Sequence, residues 1–331
     1  MNRRTTSVAV LVTLLLSAAA VACNVPVFRF ALERWQADAC ELVIFHDSGL
    51  KQDDEAFVAD LEKSSLAKGG TSNLTVIRQD VHGDMAPETE RLWQSIQSTE
   101  KPELPFAVAR AAKGKDKIVN HWRGKLTQLR EAGLLTSPVR EELVRRLQNG
   151  DAVVWLLIKS PNEELTAKAR ALLKQQCEKL PNELELPEGI GLPGSELYSE
   201  VPLLLQFSVL EVDAADAKES YLVKQLTGFQ SEAAAAGQPL VVPVFGRGRA
   251  LEVIPGSELS ADLIHDLTEF LCGACSCQVK EQNPGFDLLL TTNWNTALFG
   301  EDAELPPAPP TVGNGQKKSP ELVPIPNGRK K

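Results

Sequence analysis

One order of strand and helix patterns occurs twice along the chain, and this repeat constrains the fold more than any other feature. In residues 41–150, two strand patterns alternate with two helix patterns, and a proline then precedes a strand pair and a closing helix. The same order, β-α-β-α-β-β-α, returns in residues 152–272. Alternating strands and helices predict an α/β fold, and a repeat of this length predicts two units in tandem.

Each element is predicted from a few local signals. ELVIFH (41–46) and AVVWLLIK (152–159) are short apolar runs, which predict buried strands. SPVREELVRRLQNG (137–150) has a serine cap, a proline in its first turn and a closing glycine, which are typical of a helix. ESYLVKQLTGFQSEAAAAG (219–237) predicts another helix, and the Pro- and Gly-rich insert at 181–202 predicts a long surface loop.

The repeated order resembles the thioredoxin-like fold, present twice in tandem. Pro105 in LPF and Pro239 in QPL stand where that family places a cis-proline before its hairpin. The resemblance implies two thioredoxin-like domains, at 38–150 and 151–300, and 331 residues suffice for two domains. The whole chain also resembles an uncharacterised family of secreted bacterial proteins that share the stretches ACNVPVFRxALERW and CSCxVKxxNPG, a likeness that implies no activity.

The chain departs from the thioredoxin-like pattern at the point where that family does its chemistry. Its enzymes carry C-x-x-C just after the first strand, where the start of a helix lowers the thiol pKa. The corresponding segments here, HDSGLKQDDEAF and KSPNEELT, contain no cysteine. Both copies are therefore expected to lack redox activity, and the resemblance implies a role in binding or scaffolding.

Residues 1–22 have the features of a signal peptide. Two arginines, a short apolar run and an Ala-Val-Ala cleavage signal follow one another, so we expect export to the periplasm or to a membrane surface outside the cytoplasm. Cys23 comes next, which leaves two interpretations open: ordinary cleavage, or a lipoprotein acylated at Cys23. In the second case the protein contacts the membrane only through this lipid anchor.

The two ends of the mature chain carry weaker signals. In the N-terminal segment, 23–37, we expect Phe28, Phe30 and Trp35 to pack onto the first domain. FDLLLTTNWNTALF (286–299) predicts either an added edge strand or a segment folded back over the second domain. The Pro-rich tail, 301–331, has almost no aliphatic clusters, so we expect it to be disordered.

Disulfides are the default expectation for cysteines in an exported protein. The six cysteines are Cys23, Cys40, Cys177, Cys272, Cys275 and Cys277. The thioredoxin-like resemblance implies that the helices ending near Cys177 and Cys272 cover one sheet face, so Cys177 is predicted to bond to Cys272 or Cys275. Such a structural staple would stabilise the fold by about 4 kcal/mol in the chain-entropy model.

The cluster Cys272, Cys275 and Cys277 also supports an alternative function. C-x-x-C matches the spacing of disulfide oxidoreductases, and the three cysteines, with His265 nearby, are suitable ligands for copper or zinc. The C-x-x-C starts at the C-terminal end of a helix, where the dipole raises thiol pKa values and disfavours redox chemistry.

No catalytic residue is predicted. The chain lacks the nucleophile-elbow, P-loop, dinucleotide-binding and zinc-protease motifs, and side chains adjacent in sequence, such as His46 and Asp47, rarely point in one direction. A net charge of −9 disfavours nucleic acid. We therefore predict an exported, non-enzymatic binding or scaffolding protein without a cofactor, acting on an unidentified envelope protein partner. The alternative is a thiol-disulfide redox or metal-handling protein that uses the cysteine cluster.

Overall fold

The computed structural model describes residues 24–113, 117–275, 278–301 and 305–307. Within these ranges the chain forms two mixed β-sheets covered by helices, which is an α/β architecture. The predicted signal peptide, Cys23, Cys277 and nearly all of the Pro-rich tail lie outside the described residues. No helix of the described part is long and apolar enough to cross a membrane.

The first half of the chain supplies a four-stranded sheet. Its elements are α1 (Val27–Arg34), β1 (Cys40–His46), α2 (Gln52–Ser64), β2 (Leu74–Asp80), α3 (Pro87–Thr99), β3 (Phe106–Lys113), β4 (Lys117–Lys125), α4 (Leu126–Glu131) and α5 (Pro138–Gln148). The strand order is β2-β1-β3-β4. β1 and β2 are parallel, whereas β3 is antiparallel to both β1 and β4.

Alternation along β1 divides the core of this sheet between its two faces. Leu42 and Ile44 point to one face, where α2 and α4 cover them. Val43 and Phe45 point to the other face, where the Phe45 ring stacks on Trp93 of α3 with ring centroids 4.7 Å apart. The apolar run of ELVIFH is therefore a strand buried on both sides, as its composition predicts.

The second half supplies a six-stranded sheet. Its elements are β5 (Val153–Ile158), α6 (Glu163–Lys179), β6 (Phe207–Val212), α7 (Ser220–Thr227), α8 (Ser231–Ala235), β7 (Leu240–Phe245), β8 (Arg249–Ala250), β9 (Ile254–Pro255), α9 (Ala261–Cys272), β10 (Phe286–Asp287) and α10 (Trp294–Phe299). The order is β10-β8-β7-β5-β6, with β9 beside β7. Strands β6-β5-β7-β8 repeat both the order and the relative directions of β2-β1-β3-β4.

Helix α5 closes the first copy of the repeat in sequence but covers the sheet of the second copy. Leu143 and Leu147, one turn apart on α5, are buried in one cluster with Val154 and Leu156 of β5. β5 is apolar on both faces and so needs a helical layer on each side. The helix itself forms as predicted, with Ser137 capping its start, while its packing partner differs from the sequence range to which the repeat assigns it.

The N-terminal segment packs onto the second sheet, so the expectation that it covers the first domain is wrong. Phe28, Phe30 and Trp35 are buried in one cluster with Trp155 of β5 and Phe245 of β7. The physical reason is backbone pairing with the far end of the chain. The Val27 N–H donates to the Gly273 carbonyl at 3.0 Å, and the Cys275 N–H donates to the Val25 carbonyl at 2.9 Å.

The segment after residue 285 joins the two halves. Phe286 and Asp287 form the predicted added edge strand, β10, which pairs with β8. Leu288 and Leu290 then enter the core of the second sheet, whereas Leu289 between them enters the core of the first. Two residues of the second half, Leu289 and Tyr221, thus belong to the core of the first sheet.

The helix predicted over residues 219–237 is two shorter helices, α7 and α8. Gly228 follows α7 and lies against His121, where an added Cβ would be only 2.7 Å from the His121 Cβ. Only glycine fits this close approach, and the chain turns there before α8 begins. The prediction of one continuous helix is corrected by a tertiary contact.

Candidate functional site

Residues 46–50, 80–84 and 103–105 form one edge of the first sheet, which we call the loop edge. An α/β fold ordinarily binds its ligand at such an edge. β1 and β2 run parallel with His46 opposite Asp80, so both strands end at this edge. β3 begins there after a cis peptide bond between Leu104 and Pro105, as the sequence pattern predicts.

Several polar side chains of the loop edge lie close to one another. The Ser48 hydroxyl donates to Asp47 Oδ1 at 2.8 Å, and the Gly49 N–H donates to His46 Nδ1 at 3.2 Å. His82 Nε2 lies 3.5 Å from Asp47 Oδ1, and these two side chains are 72% and 56% exposed. The Ser48 hydroxyl is thus bonded to the carboxylate of its neighbour and not to a described imidazole.

The corresponding edge of the second sheet is occupied by local structure. Lys159 Nζ binds Asp213 Oδ2 at 2.6 Å across the ends of β5 and β6. Asn162 caps α6 by accepting the N–H groups of Glu164 and Leu165 at 3.1 and 3.2 Å. Asn162 thus caps α6, while Lys159 and Asp213 pair with each other at this edge.

The peptide bond before Pro239 is trans, which corrects the expectation of a cis-proline in the second half. The Pro239 carbonyl accepts the Gly256 N–H at 2.8 Å. The ring packs so closely on Gly256 that a Cβ there would lie 2.6 Å from Pro239 Cγ. These contacts fit Pro239 with a trans peptide bond before it.

Cys272 and Cys275 lie inside the second sheet's core rather than on its surface. Each is 1% exposed, and both pack in the cluster that contains Phe28 and Leu271. Burial raises the pKa of Cys272 to about 12. Since the thiolate is the nucleophilic form, Cys272 is unsuited to redox catalysis at neutral pH.

Cys177 packs at the margin of the same cluster. Burial, with Asp151 and Glu178 nearby, raises its pKa to about 12. Both Cys177 and Cys272 are thiols in the structure, and the disulfide between them stays a prediction. Cys277 and Cys23, predicted respectively as a redox or metal residue and as the lipidation site, lie outside the described residues.

His265 lies on the surface of α9 among carboxylates. Its Nδ1 is 3.7 Å from Asp266 Oδ1, and one ligand atom from each of His265, Asp266 and Glu269 lies within 4.8 Å of the others. The side chain of His265 is 37% exposed, whereas Cys272 is buried in the core. The nearest potential ligands of His265 are therefore acidic oxygens.

A buried polar cluster joins the two halves at Tyr221 of α7. The Tyr221 hydroxyl lies 3.1 Å from Cys40 Sγ and 3.0 Å from His121 Nε2, and the Arg140 guanidinium lies 5.5 Å from the centre of the Tyr221 ring. Burial raises the pKa of Cys40 to about 11 and lowers the pKa of His121 to about 4. Cys40, His121 and Tyr221 are therefore uncharged at pH 7, and these buried contacts join the two halves.

Arg29 and Glu33 of α1 bind the insert at 181–202. Arg29 Nε lies 2.9 Å from Glu33 Oε1, and both side chains are almost fully buried. Arg29 donates to the carbonyls of Ser199 and Val201 at 2.7 Å, and Glu33 accepts from two backbone N–H groups of the insert. The predicted surface loop is thus held against the N-terminal helix.

A second set of buried charges lies where the N-terminal segment meets residues 278–287. Arg249 Nη1 lies 3.0 Å from Asp287 Oδ1, and Lys280 Nζ contacts Asp287 Oδ2. Burial alone raises the pKa of Asp287, but Lys280 and Arg249 outweigh it and hold that pKa below its ordinary value. The Trp35 indole N–H donates to the Gln278 carbonyl at 3.0 Å.

Sequence reasoning assigned no role to these buried charges. A signal was present, because Arg29 and Glu33 stand four residues apart in the helix VFRFALER, which is otherwise apolar up to its last residue, Arg34. Their partners are more than 160 residues away, so only the fold reveals them. Arg247, in the turn between β7 and β8, likewise donates to the Leu32 and Glu33 carbonyls at the end of α1.

Comparison with known proteins gives no family assignment. No family model matches the chain, and a search of curated proteins finds no match.

Proposed function

We propose that this chain is an exported, non-enzymatic binding or scaffolding protein built from two redox-inactive thioredoxin-like domains. Its partner is a protein of the cell envelope, and its work is done by surface contacts. The proposal includes the signal peptide and the two interpretations of Cys23, acylation or ordinary cleavage. Without a cofactor, the chain relies on its own side chains to recognise the partner.

The repeated strand order carries the proposal. The sheets β2-β1-β3-β4 and β6-β5-β7-β8 share order and direction, which agrees with a duplicated thioredoxin-like unit. The edge where such a unit would carry its reactive thiols has no cysteine in either half. A repeated unit of this strand order without cysteines at that edge supports recognition rather than catalysis.

The loop edge of the first sheet is the contact surface we propose. Asp47 and His82 are well exposed there, whereas the second edge is used by the Lys159–Asp213 pair and the cap of α6. Exposed loops on a rigid sheet are where binding residues concentrate. The first edge is therefore the more suitable of the two for a protein partner.

The thiol-redox alternative is less well supported. A catalytic cysteine needs an exposed thiol with a lowered pKa, and Cys272 is buried with its pKa raised to about 12. Cys40 and Cys177 have raised pKa values for the same reason. These directions all oppose thiolate formation.

Site-specific photo-cross-linking in the exporting cell tests the proposed contact surface. A photoreactive amino acid replaces Ser48 at the loop edge in one variant and the exposed Lys174 of α6 in a matched variant. We expect one cross-linked envelope protein from position 48 and none from position 174. The same adducts at both positions, or none at position 48, would overturn the assignment of this edge.

A further inference from the structure

We propose that the side chains of Lys280 and Asp287 condense to an amide, an intramolecular isopeptide bond, with Asp38 as the proton carrier. This modification goes beyond the proposed binding function and lies apart from the loop edge. Lys280 Nζ contacts Asp287 Oδ2 and lies 2.9 Å from Asp38 Oδ1. An amine nucleophile, a carboxyl group and an acid–base group therefore meet at one point, and holding reactants together strongly accelerates a reaction between them.

The two reacting side chains are shielded from water. Only 9% of the Lys280 side chain and 4% of the Asp287 side chain are exposed. A cavity of about 10 Å³ lies against both residues and is also lined by Trp35 and Arg249, which is space for about one water molecule. Because no bulk water reaches the contact, the surroundings favour condensation over hydrolysis of the amide.

The reaction balances within the ion pair. The Lys280 ammonium and the Asp287 carboxylate have opposite charges, and their products, the amide and one water molecule, are neutral. The nitrogen first loses a proton to Asp38 and then attacks Asp287 Cγ, which forms the new C–N bond. Asp38 passes this proton, and a second one that the nitrogen releases, to Asp287 Oδ2. The bond between Cγ and Oδ2 then breaks, and Oδ2 leaves as water.

Asp38 is well placed for this proton transfer. Its backbone N–H donates to Asp287 Oδ2 at 2.5 Å, so Asp38 lies beside the oxygen that leaves. Partial burial and the charge of Asp287 raise the pKa of Asp38, and this carboxylate therefore accepts a proton from Lys280 more readily than an ordinary aspartate does. Its side chain is half-exposed, so the proton carrier borders solvent while the reacting atoms do not.

Arg249 holds the other oxygen of Asp287. Its Nη1 lies 3.0 Å from Oδ1, the oxygen on which negative charge develops when the nitrogen adds to Cγ, and a fixed cation stabilises that charge. After the reaction Oδ1 is the amide oxygen and keeps its bond to Arg249. The one hydrogen left on the nitrogen is donated to the Gln36 carbonyl, which Lys280 Nζ already contacts. The product therefore leaves neither polar atom of the amide unpaired.

The amide fixes the segment that joins the two halves. It closes residues 280–287 into a covalent ring, and β10 at the end of this ring pairs with β8. Leu288 and Leu289 follow at once and enter the cores of the second and the first sheet. Unlike the ion pair, a covalent bond at this point does not weaken with salt or acid.

Mass spectrometry of the chain purified from the exporting cell, with its thiols reduced and alkylated, tests the proposal. We expect a mass lower by one water molecule than the sequence requires. Trypsin should not cleave after Lys280, and cleavage after Glu281, inside the ring, should leave two peptides joined. Lys159 is the matched control in the same chain, because it binds Asp213 at 2.6 Å and both side chains are more exposed. Trypsin should cleave after it.

Two variants separate the roles of the side chains. K280R keeps the positive charge, but a guanidinium stays protonated and is no nucleophile, so this chain should have its full mass. D38N removes the proton carrier and should form the amide about 100-fold more slowly or less. The purified D38N chain should therefore be mainly unlinked.

Three results would overturn the proposal. The first is a wild-type chain of full mass that trypsin cleaves after Lys280. The second is a loss of water that persists in K280R, which would place the dehydration at another site. The third is a D38N chain linked as fully as the wild type, which would remove Asp38 from the reaction. None of these results bears on photo-cross-linking at the loop edge, so the amide and the proposed function fail separately.

Discussion

At the scale of single residues, the buried charges of α1 are expected to contribute strongly to stability. Arg29 is 1% exposed and depends on Glu33 for its counter-charge. Removing one member of a buried ion pair leaves the other charge uncompensated, so E33Q should lower the free energy of unfolding by about 3 kcal/mol. Urea denaturation measures this change.

The matched control is Glu142, which binds Arg145 at 2.7 Å on the exposed side of α5. E142Q should leave the free energy of unfolding almost unchanged, since surface ion pairs contribute little. An E33Q chain as stable as E142Q would mean that α1 does not hold the insert by this pair.

His121 predicts a dependence of stability on pH. Burial lowers its pKa from 6.5 to about 4, so between these values the unfolded chain binds a proton that the folded chain does not. Stability from this group is complete above about pH 6.5 and is lost as the pH falls toward 4, by about 3 kcal/mol in all.

Denaturation of the wild type and H121Q at a series of pH values checks this dependence. The wild type should lose about 3 kcal/mol of stability relative to H121Q as the pH falls through this window, while the exposed His82, replaced in H82Q, should leave the wild-type slope intact. Parallel pH profiles for wild type and H121Q would refute the assignment.

The residue scale also shows where sequence reasoning ends. The helix-end position of Cys272 already predicted an unreactive thiol, and burial, which sequence did not quantify, raises its pKa further to about 12. Arg29, Glu33 and Arg247 have hydrogen-bond partners far along the chain. The sequence pattern therefore could not identify those partners.

At the scale of elements, substitutions in α5 and α4 test which sheet each helix packs against. L147A removes a side chain that packs on β5, and L129A removes one from α4 that packs on the first sheet. Each truncation should cost about 2–5 kcal/mol. By hydrogen exchange, L147A should reduce protection mainly in β5 and β6, and L129A mainly in β1 to β4. The reverse assignment would contradict the packing described above.

Strong local sequence signals predicted the type of the elements that carry them. They did not predict which sheet a helix packs against. The apolar runs of β1 and β5 and the Ser137 cap of α5 predicted element type correctly. Which sheet α5 and α1 cover depends on contacts such as Val27 with Gly273, which no local pattern encodes. The break between α7 and α8 has the same origin, since it depends on His121 fitting against Gly228.

At the scale of the whole molecule, the two halves are expected to unfold together. Tyr221 and Leu289 from the second half occupy the first core, and α5 from the first half covers the second sheet. Urea unfolding followed by tryptophan fluorescence and by circular dichroism should therefore give one coincident transition. Two separated transitions would mean that the shared contacts contribute little to stability.

The repeated architecture was accessible from sequence because each copy carries the same order of patterns, whereas the joining of the chain ends around α1 was not. We propose that this duplicated architecture acts by contact and not by thiol chemistry.

Reduction of a model disulfide substrate by the native full-length protein, with dithiothreitol as the electron donor, tests that claim most directly. The account predicts the rate of the protein-free reaction for the wild type and for C272S alike. Catalysed turnover that C272S abolishes would contradict it.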